Sequence, residues 1–211
     1  MMARIDGQRV PLCGVPAIAP VLHPLDGGQY LFTHREMEDF LQTEPGAAKY
    51  FRPWYGAKEF LHRAPRYFLW LGDATSLDLY RLPECRKRMD AVEMYRRGSA
   101  NALTRKWADR PAIFPMPNRS CDDYLIIPRR FAAKQGYVPM GFLRKTTFCD
   151  SSVYAIPDAT PYHFGVLSSS VHMAWVKAVC GQQKGVYRYS KEIAYNSFSV
   201  AVGGHGDENT D

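Results

Sequence analysis

The strongest constraint on this chain is that its strand-forming runs are short and gather late, after a block of helical pattern. Beyond Pro111 the runs are AIF at Ala112, DYLIIP over Asp123 to Pro128, YVPMGFL over Tyr137 to Leu143 and SVYAIP over Ser152 to Pro157. Each has strand length, and the FAAKQG link between the second and third ends at Gly136 and reads as a hairpin-length loop. Two earlier runs, QYLFT from Gln29 to Thr33 and RYFLWLGD from Arg66 to Asp73, add a plausible and a buried strand. Strands and helices in separate runs, without strict alternation, predict an α+β class of mixed helices and a short-stranded twisted sheet.

The helical pattern has clear ends. Thr33, with Glu36 at the capping-box position, starts a helix through about Thr43, in which Met37, Phe40 and Leu41 stand at helical spacing. Ser76 to Arg81 forms a short helix, Pro83 leads a longer one to about Arg97, and Asn101 to Asp109 follows. Met89, Val92 and Tyr95 give the longer helix its apolar stripe. A last helix is expected over Tyr162 to Val179, with Leu167, Val171, Ala174, Trp175 and Ala178 on one side. Residues 1–28, rich in Pro and Gly, read as an extended arm that packs on something, 29–198 as one domain, and 199–211 as a disordered acidic tail.

Charge placement says more than the total of +6. Residues 1–80 hold 8 basic and 9 acidic side chains, whereas residues 81–191 hold 19 basic and 8 acidic, and the remaining 20 carry four acids and no base. Such asymmetry is the footprint of a polyanion-binding face, against the bland alternative of solvated, Arg-rich helices. The five cysteines are odd in number and contain no CxxC pair, so neither a disulfide framework nor a zinc ribbon is indicated, and reduced thiols in a cytoplasmic protein are the simpler reading. No signal peptide pattern stands at the N-terminus, and runs such as Tyr67 to Gly72 are too short to span a bilayer.

Catalytic signatures are missing. GxGxxG after a strand, GxxxxGK[ST] and HExxH do not occur, and FRPWYG at Phe51 to Gly56 lacks the polar first residue and paired prolines of an amino-methyltransferase tetrapeptide. His163 and His172 lie nine residues apart, on opposite faces of one predicted helix, so they cannot share a metal, and core or capping roles fit them better. A small enzyme built on His163, His172 and Asp158 has no evident nucleophile–base pair.

The segment from Lys184 to Lys191 is the strongest candidate site. As a strand, it would turn Lys184, Val186, Arg188 and Ser190 to one side and Tyr187, Tyr189 and Lys191 to the other. Such a strand suits a major groove; the alternative is an edge strand protected by charge. Phosphate contacts are expected from Arg129, Arg130, Lys134, Arg144, Lys145, Tyr189, Ser190 and Lys191. Ser168, Ser169 and Ser170 fit equally a small-residue packing stripe or hydroxyl donors to a DNA backbone, and His172 could donate to a phosphate from an exposed face.

At these residues the chain resembles the target-recognition domain of MmeI-type (type IIL) restriction–modification proteins, which join nuclease, adenine-N6 methyltransferase and recognition modules in one polypeptide. The resemblance runs from about Gly27 to Phe198. It is carried by EPGAAKYFRPWYGAKEF, RYFLWLGD, DYLIIPR, YVPMGFL, IPDATPYHFGVLSSSVHMAW and YRYSKEIAYNSF, in that order. It implies double-stranded DNA as partner and no catalysis by this chain alone. It also implies that S-adenosylmethionine is bound by a methyltransferase module absent from the chain, as in a piece of a larger enzyme. In the family a pair just before YRYS reads one base, Glu-x-Arg going with C and Lys-x-Asp with G. The pair aligns here with Lys184 and Val186, which implies a relaxed preference for G. Arg188 aligns with a further specificity position that acts with a residue near Ser152. The competing expectation is a module that binds no DNA and docks on the methyltransferase through its N-terminal arm.

Overall fold

The computed structural model describes residues 7–19, 21, 23–114 and 122–199. The chain order is β1 (Leu31–Phe32), α1 (His34–Thr43), β2 (Phe51–Tyr55), α2 (Ala57–His62), β3 (Arg66–Leu69), α3 (Ser76–Arg81), α4 (Pro83–Arg97) and α5 (Ala102–Arg105). There follow β4 (Tyr124–Pro128), β5 (Arg130–Ala132), β6 (Gly141–Leu143), β7 (Phe148–Cys149), β8 (Val153–Ile156), α6 (Pro161–Leu167), α7 (Ser170–Val179), β9 (Gln182–Gln183) and β10 (Val186–Arg188). The class is α+β, and the strands are shared among three small sheets, ordered β1-β3-β2-β7, β6-β4-β8 and β5-β10-β9.

The first sheet is antiparallel except where β7 joins β2 in parallel, with Trp54 opposite Phe148 and Tyr55 opposite Cys149. That pairing stitches the two halves of the chain together, because parallel neighbours need a long crossover. An aromatic core lies on this sheet: Phe68 meets Tyr30, Phe114 and Phe148 edge-on and stacks on Trp54 at 5.2 Å between ring centroids. The strand Phe51–Tyr55 is not among those expected from sequence, and the AIF run at Ala112, expected as a strand, is turn and coil in the structure.

Local chemistry sets the helix ends. The Thr33 hydroxyl accepts the Glu36 N–H while the Glu36 carboxylate accepts the Thr33 N–H, the reciprocal box expected from sequence. The start of α4 is capped from afar: the buried Glu44 carboxylate accepts the N–H groups of Glu84 at 2.7 Å and Cys85 at 3.0 Å, an anion held at the positive end of the helix. The buried face of α4 carries Cys85, Val92 and Arg96, with Tyr95 turned outward and 48% exposed.

Arg96 therefore takes the place in the stripe that the sequence assigned to an aromatic residue. It is fully buried and donates to the carbonyls of Leu25, Trp107, Arg110 and Ile113 at 2.8 to 3.0 Å. Its guanidinium also lies 5.1 Å from the Phe114 ring centroid. One side chain thus ties the entry loop to the segment after α5, and only a planar fork with five donors can serve so many acceptors at once.

The single helix expected over Tyr162 to Val179 is two helices. Ser169 is the N-cap of α7, its side chain accepting the His172 N–H, and this restart changes the helical phase. The inward face of α7 is His172, Met173 and Val176, while Val171, Ala174 and Ala178 are exposed. Residues of the predicted arm lie along this part of the domain. Ala19 bridges Ala155, the Tyr195 hydroxyl donates to the Pro16 carbonyl at 2.6 Å, and Asn196 Nδ2 donates to the Gln8 carbonyl at 2.7 Å. The tail beyond Ser199 lies outside the described residues.

His172 Nε2 sits 3.0 Å from the Tyr189 hydroxyl, and its Nδ1 has no hydrogen-bond partner among the described residues. Burial pushes the imidazole pKa down to about 4.

Two stability measurements follow. Arg96→Met and Arg96→Lys each leave buried carbonyls without donors, so urea denaturation should show a loss of about 3 kcal/mol or more; losses below about 1 kcal/mol would mean the fork is replaceable. The His172 contribution is complete above the unfolded pKa of about 6.5 and fades as pH falls toward 4, because the unfolded chain takes up the proton first. Between pH 7 and 4, unfolding free energy should fall by up to about 3 kcal/mol more in the wild-type chain than in His172→Gln. Parallel pH profiles for the two would show that His172 is not held neutral.

Candidate nucleic-acid interface

The β9–β10 hairpin is built from its turn outward. Lys184 and Gly185 both have positive φ, 49° and 75°, the geometry of a two-residue primed turn that matches strand twist. Glycine takes that conformation freely; lysine does so at a cost of about 1 kcal/mol. Lys184 is therefore at the tip of the turn, which corrects its predicted place on the strand beside Val186 and Arg188. The turn is held from behind by the Ala133 N–H, which donates to the Gly185 carbonyl at 2.8 Å and brings exposed Lys134 next to it.

On the strand itself the expected alternation is present. β10 lies between β9 and β5, with Val186 opposite Gln183 and Ala132, Tyr187 opposite Gln182 and Phe131, and Arg188 opposite Arg130. Tyr187 and Phe131 are buried with ring centroids 5.8 Å apart. The other side of the sheet is exposed at Gln183, Val186, Arg188 and Arg130. Directly opposed residues share a face, so Arg188 and Arg130 form a like-charged pair, an arrangement that costs stability in the absence of an anion. Both arginines are expected contact residues from sequence, but their pairing is not legible there, because β5 overlaps the FAAKQG segment that reads as a hairpin-length loop.

Arg129 joins this sheet to the next. Its N–H donates to the Ser152 carbonyl and its carbonyl accepts the Tyr189 N–H, both at 2.9 Å. Its guanidinium lies 4.4 Å from the centroid of the Tyr154 ring, which leaves the cation on the surface over an aromatic support. Ser152 and Arg188 thus stand on either side of Arg129. The Ser152 hydroxyl is already engaged, accepting the Ala57 N–H at 2.7 Å and donating to Asp150. Among the described residues, Arg129, Arg130, Lys134, Lys184 and Arg188 have no carboxylate partner.

Other expected contact residues lie elsewhere or are committed. His172 and Tyr189, 0% and 1% exposed, are core residues and present nothing to a phosphate. Ser169 caps α7, and the Ser168 hydroxyl donates to the Gly165 carbonyl, so the serine run ends one helix and starts another. Ser190 accepts the Ile193 N–H, capping the helical turn Lys191–Tyr195, and the Lys191 ammonium donates to the Ile18 carbonyl. Ser170 is exposed at the start of α7. Arg144 and Lys145 are exposed just beyond Leu143, which pairs with Tyr124 at the start of β4; Arg129 follows the end of that strand, about 17 Å away. They do not converge with the arginine pair.

Much of the basic helical block is likewise used internally. Arg97 pairs with Glu93 and Asp109, Lys87 with Glu84, and Arg88 donates to the Gln29 carbonyl while lying over Phe32. The His163 Nδ1 meets the Thr160 N–H at 3.0 Å, a capping role, so His163, His172 and Asp158 form no reactive constellation. No group of three or more His, Cys, Asp or Glu residues suited to a metal occurs among the described residues, nor any helix long and apolar enough to cross a membrane.

Comparisons with known proteins agree with this architecture. A solved structure of the type IIL restriction–modification enzyme MmeI in complex with DNA superposes with a TM-score of 0.82 at 33% identity, over 90% of this chain and 25% of that one. DNA methyltransferase A of Bacillus subtilis (strain 168) is 32% identical over 196 residues, 93% of this chain and 22% of that protein. The chain therefore spans about a quarter of the length of the proteins it matches. The family model described as the target recognition domain of MmeI matches residues 3–202, and the chain belongs to that family.

Proposed function

We propose that this domain binds duplex DNA and reads bases through the exposed face of the β5–β10–β9 sheet, as the recognition part of an adenine-N6 methyltransferase or type IIL restriction–modification enzyme. The observation that carries the reading is the opposed Arg130–Arg188 pair, flanked by Arg129, Lys134 and Lys184, none of which forms an ion pair with a carboxylate among the described residues. Repulsion between facing arginines is relieved when phosphate or guanine acceptors come between them. A buried aromatic layer beneath makes the ribbon stiff enough to enter a major groove. Lys184, at the tip of the turn, has only donors to offer and so favours the O6 and N7 acceptors of guanine.

The reading assigns adenine methylation and S-adenosylmethionine to a methyltransferase module outside this chain. A docking module that leaves DNA alone would gain nothing from the arginine pair.

Fluorescence anisotropy on duplex DNA across a salt series tests the electrostatic core of the proposal. Binding should weaken steeply with salt, and Arg130→Ala and Arg188→Ala should each reduce the log–log slope by about 1 wherever the lost contact is to a phosphate. Arg144→Ala should leave it unchanged. Binding that ignores salt, or that loses its slope only on Arg144→Ala, would contradict the assignment.

A further inference from the structure

We propose that Gln183 and Val186 together read one A·T base pair, Gln183 on the adenine edge and Val186 on the thymine methyl; this rests on the DNA-reading function above and names a base pair for it. Gln183 is not part of the Lys184–Val186 pair suggested by family resemblance. It emerges only from the register: with Lys184 and Gly185 in the turn, Gln183 is the residue directly opposite Val186.

Direct opposition puts the two side chains on the same face, with Cβ atoms about 5 Å apart. Gln182 is opposite Tyr187 and so belongs to the other face. Gln183 is exposed, and its amide makes no side-chain hydrogen bond among the described residues. Val186 is 37% exposed, with Ala132 on its other side, a small apolar strip beside the Arg188–Arg130 pair. The face therefore carries two rows. One is Gln183, Val186 and Ala132; the other, two residues along at about 6.8 Å, is Arg188 and Arg130.

The chemistry of the first row matches one base pair. In the major groove an A·T pair shows the N7 acceptor and N6 donor of adenine, then the O4 and methyl of thymine. A primary amide has one donor group and one acceptor and satisfies N7 and N6 together, which neither Lys nor Arg can do. Beside it, a branched apolar side chain suits the methyl. β9 is the outer strand of its sheet, so no further strand blocks the approach of the Gln183 amide to a base edge.

The test is selection of binding sites from a randomised duplex library by the 211-residue chain, followed by affinities on the selected site. The wild-type chain should enrich an A·T pair next to a guanine-containing position, and Gln183→Glu should change that adenine to cytosine, whose N4 group donates to a carboxylate. About tenfold discrimination at that position is expected from one bidentate contact. Replacing its thymine by deoxyuridine should weaken wild-type binding about threefold and leave Val186→Ala unaffected. If the wild-type chain enriches a site and Gln183→Glu leaves every position unchanged, this inference fails while DNA reading stands. Enrichment of no sequence at all would overturn both.

Discussion

The backbone of a single residue, Arg129, governs how the site is assembled. β4 ends at Pro128 and β5 begins at Arg130, so one residue must carry the chain from one sheet into another. Proline has no N–H to extend the ladder, which makes this a natural place to leave it. The Arg129 N–H is satisfied by Ser152 of the strand β8 neighbourhood, and its carbonyl by Tyr189 just after β10. Both polar groups of the joint are thereby paired, β5 is delivered in register against β10, and Arg130 comes to face Arg188. If that joint were longer or unpaired, the two arginines would not meet.

The net charge overstates the interface. Arg96 is the clearest case, a cation wholly buried among carbonyls and an aromatic ring. Arg88, Arg97 and Lys87 are also bound within their own helical block. Other exposed cations, among them Arg81, Arg86, Lys106, Arg144 and Lys145, also lack a carboxylate partner among the described residues, and what sets the sheet group apart is convergence, with Arg130 directly opposite Arg188. A helical surface charge with an acidic neighbour four residues away contributes little to either stability or binding. Facing arginines on a rigid sheet carry a standing electrostatic cost, which a ligand phosphate or base edge removes.

Much of the architecture was legible because it rests on local chemistry. The Thr33–Glu36 box, Pro83 at the start of α4 and the alternation of Val186, Tyr187 and Arg188 each depend on residues within one element. The class, α+β, followed from the segregation of strand and helix patterns. What sequence did not show was non-local. β5 could not be separated from a loop because three residues carry too little periodicity, and only its partner β10 makes it a strand. The serine run looked like helix interior because Ser169 caps a helix that begins inside an apparently continuous pattern. Lys184 reads as part of a strand because Lys-Gly is a weaker turn signal than Asn-Gly, whereas its positive φ puts it in the turn. Burial was the other blind spot: Tyr189 and His172 have polar atoms that suit a phosphate, and they spend them on each other.

On the proposed function, the β5–β10–β9 face, and not the helical block or the far end of β4, is the surface that meets DNA. This is tested most directly by following the backbone and side-chain NMR resonances of the chain as duplex DNA is added at low salt. The largest changes are expected at Arg130, Gln183, Lys184, Val186 and Arg188, a smaller one at Lys134, and little at Arg144, Lys145 or α4. Changes centred on α3–α5 or on Arg144 and Lys145, with the β10 resonances unmoved, would contradict it.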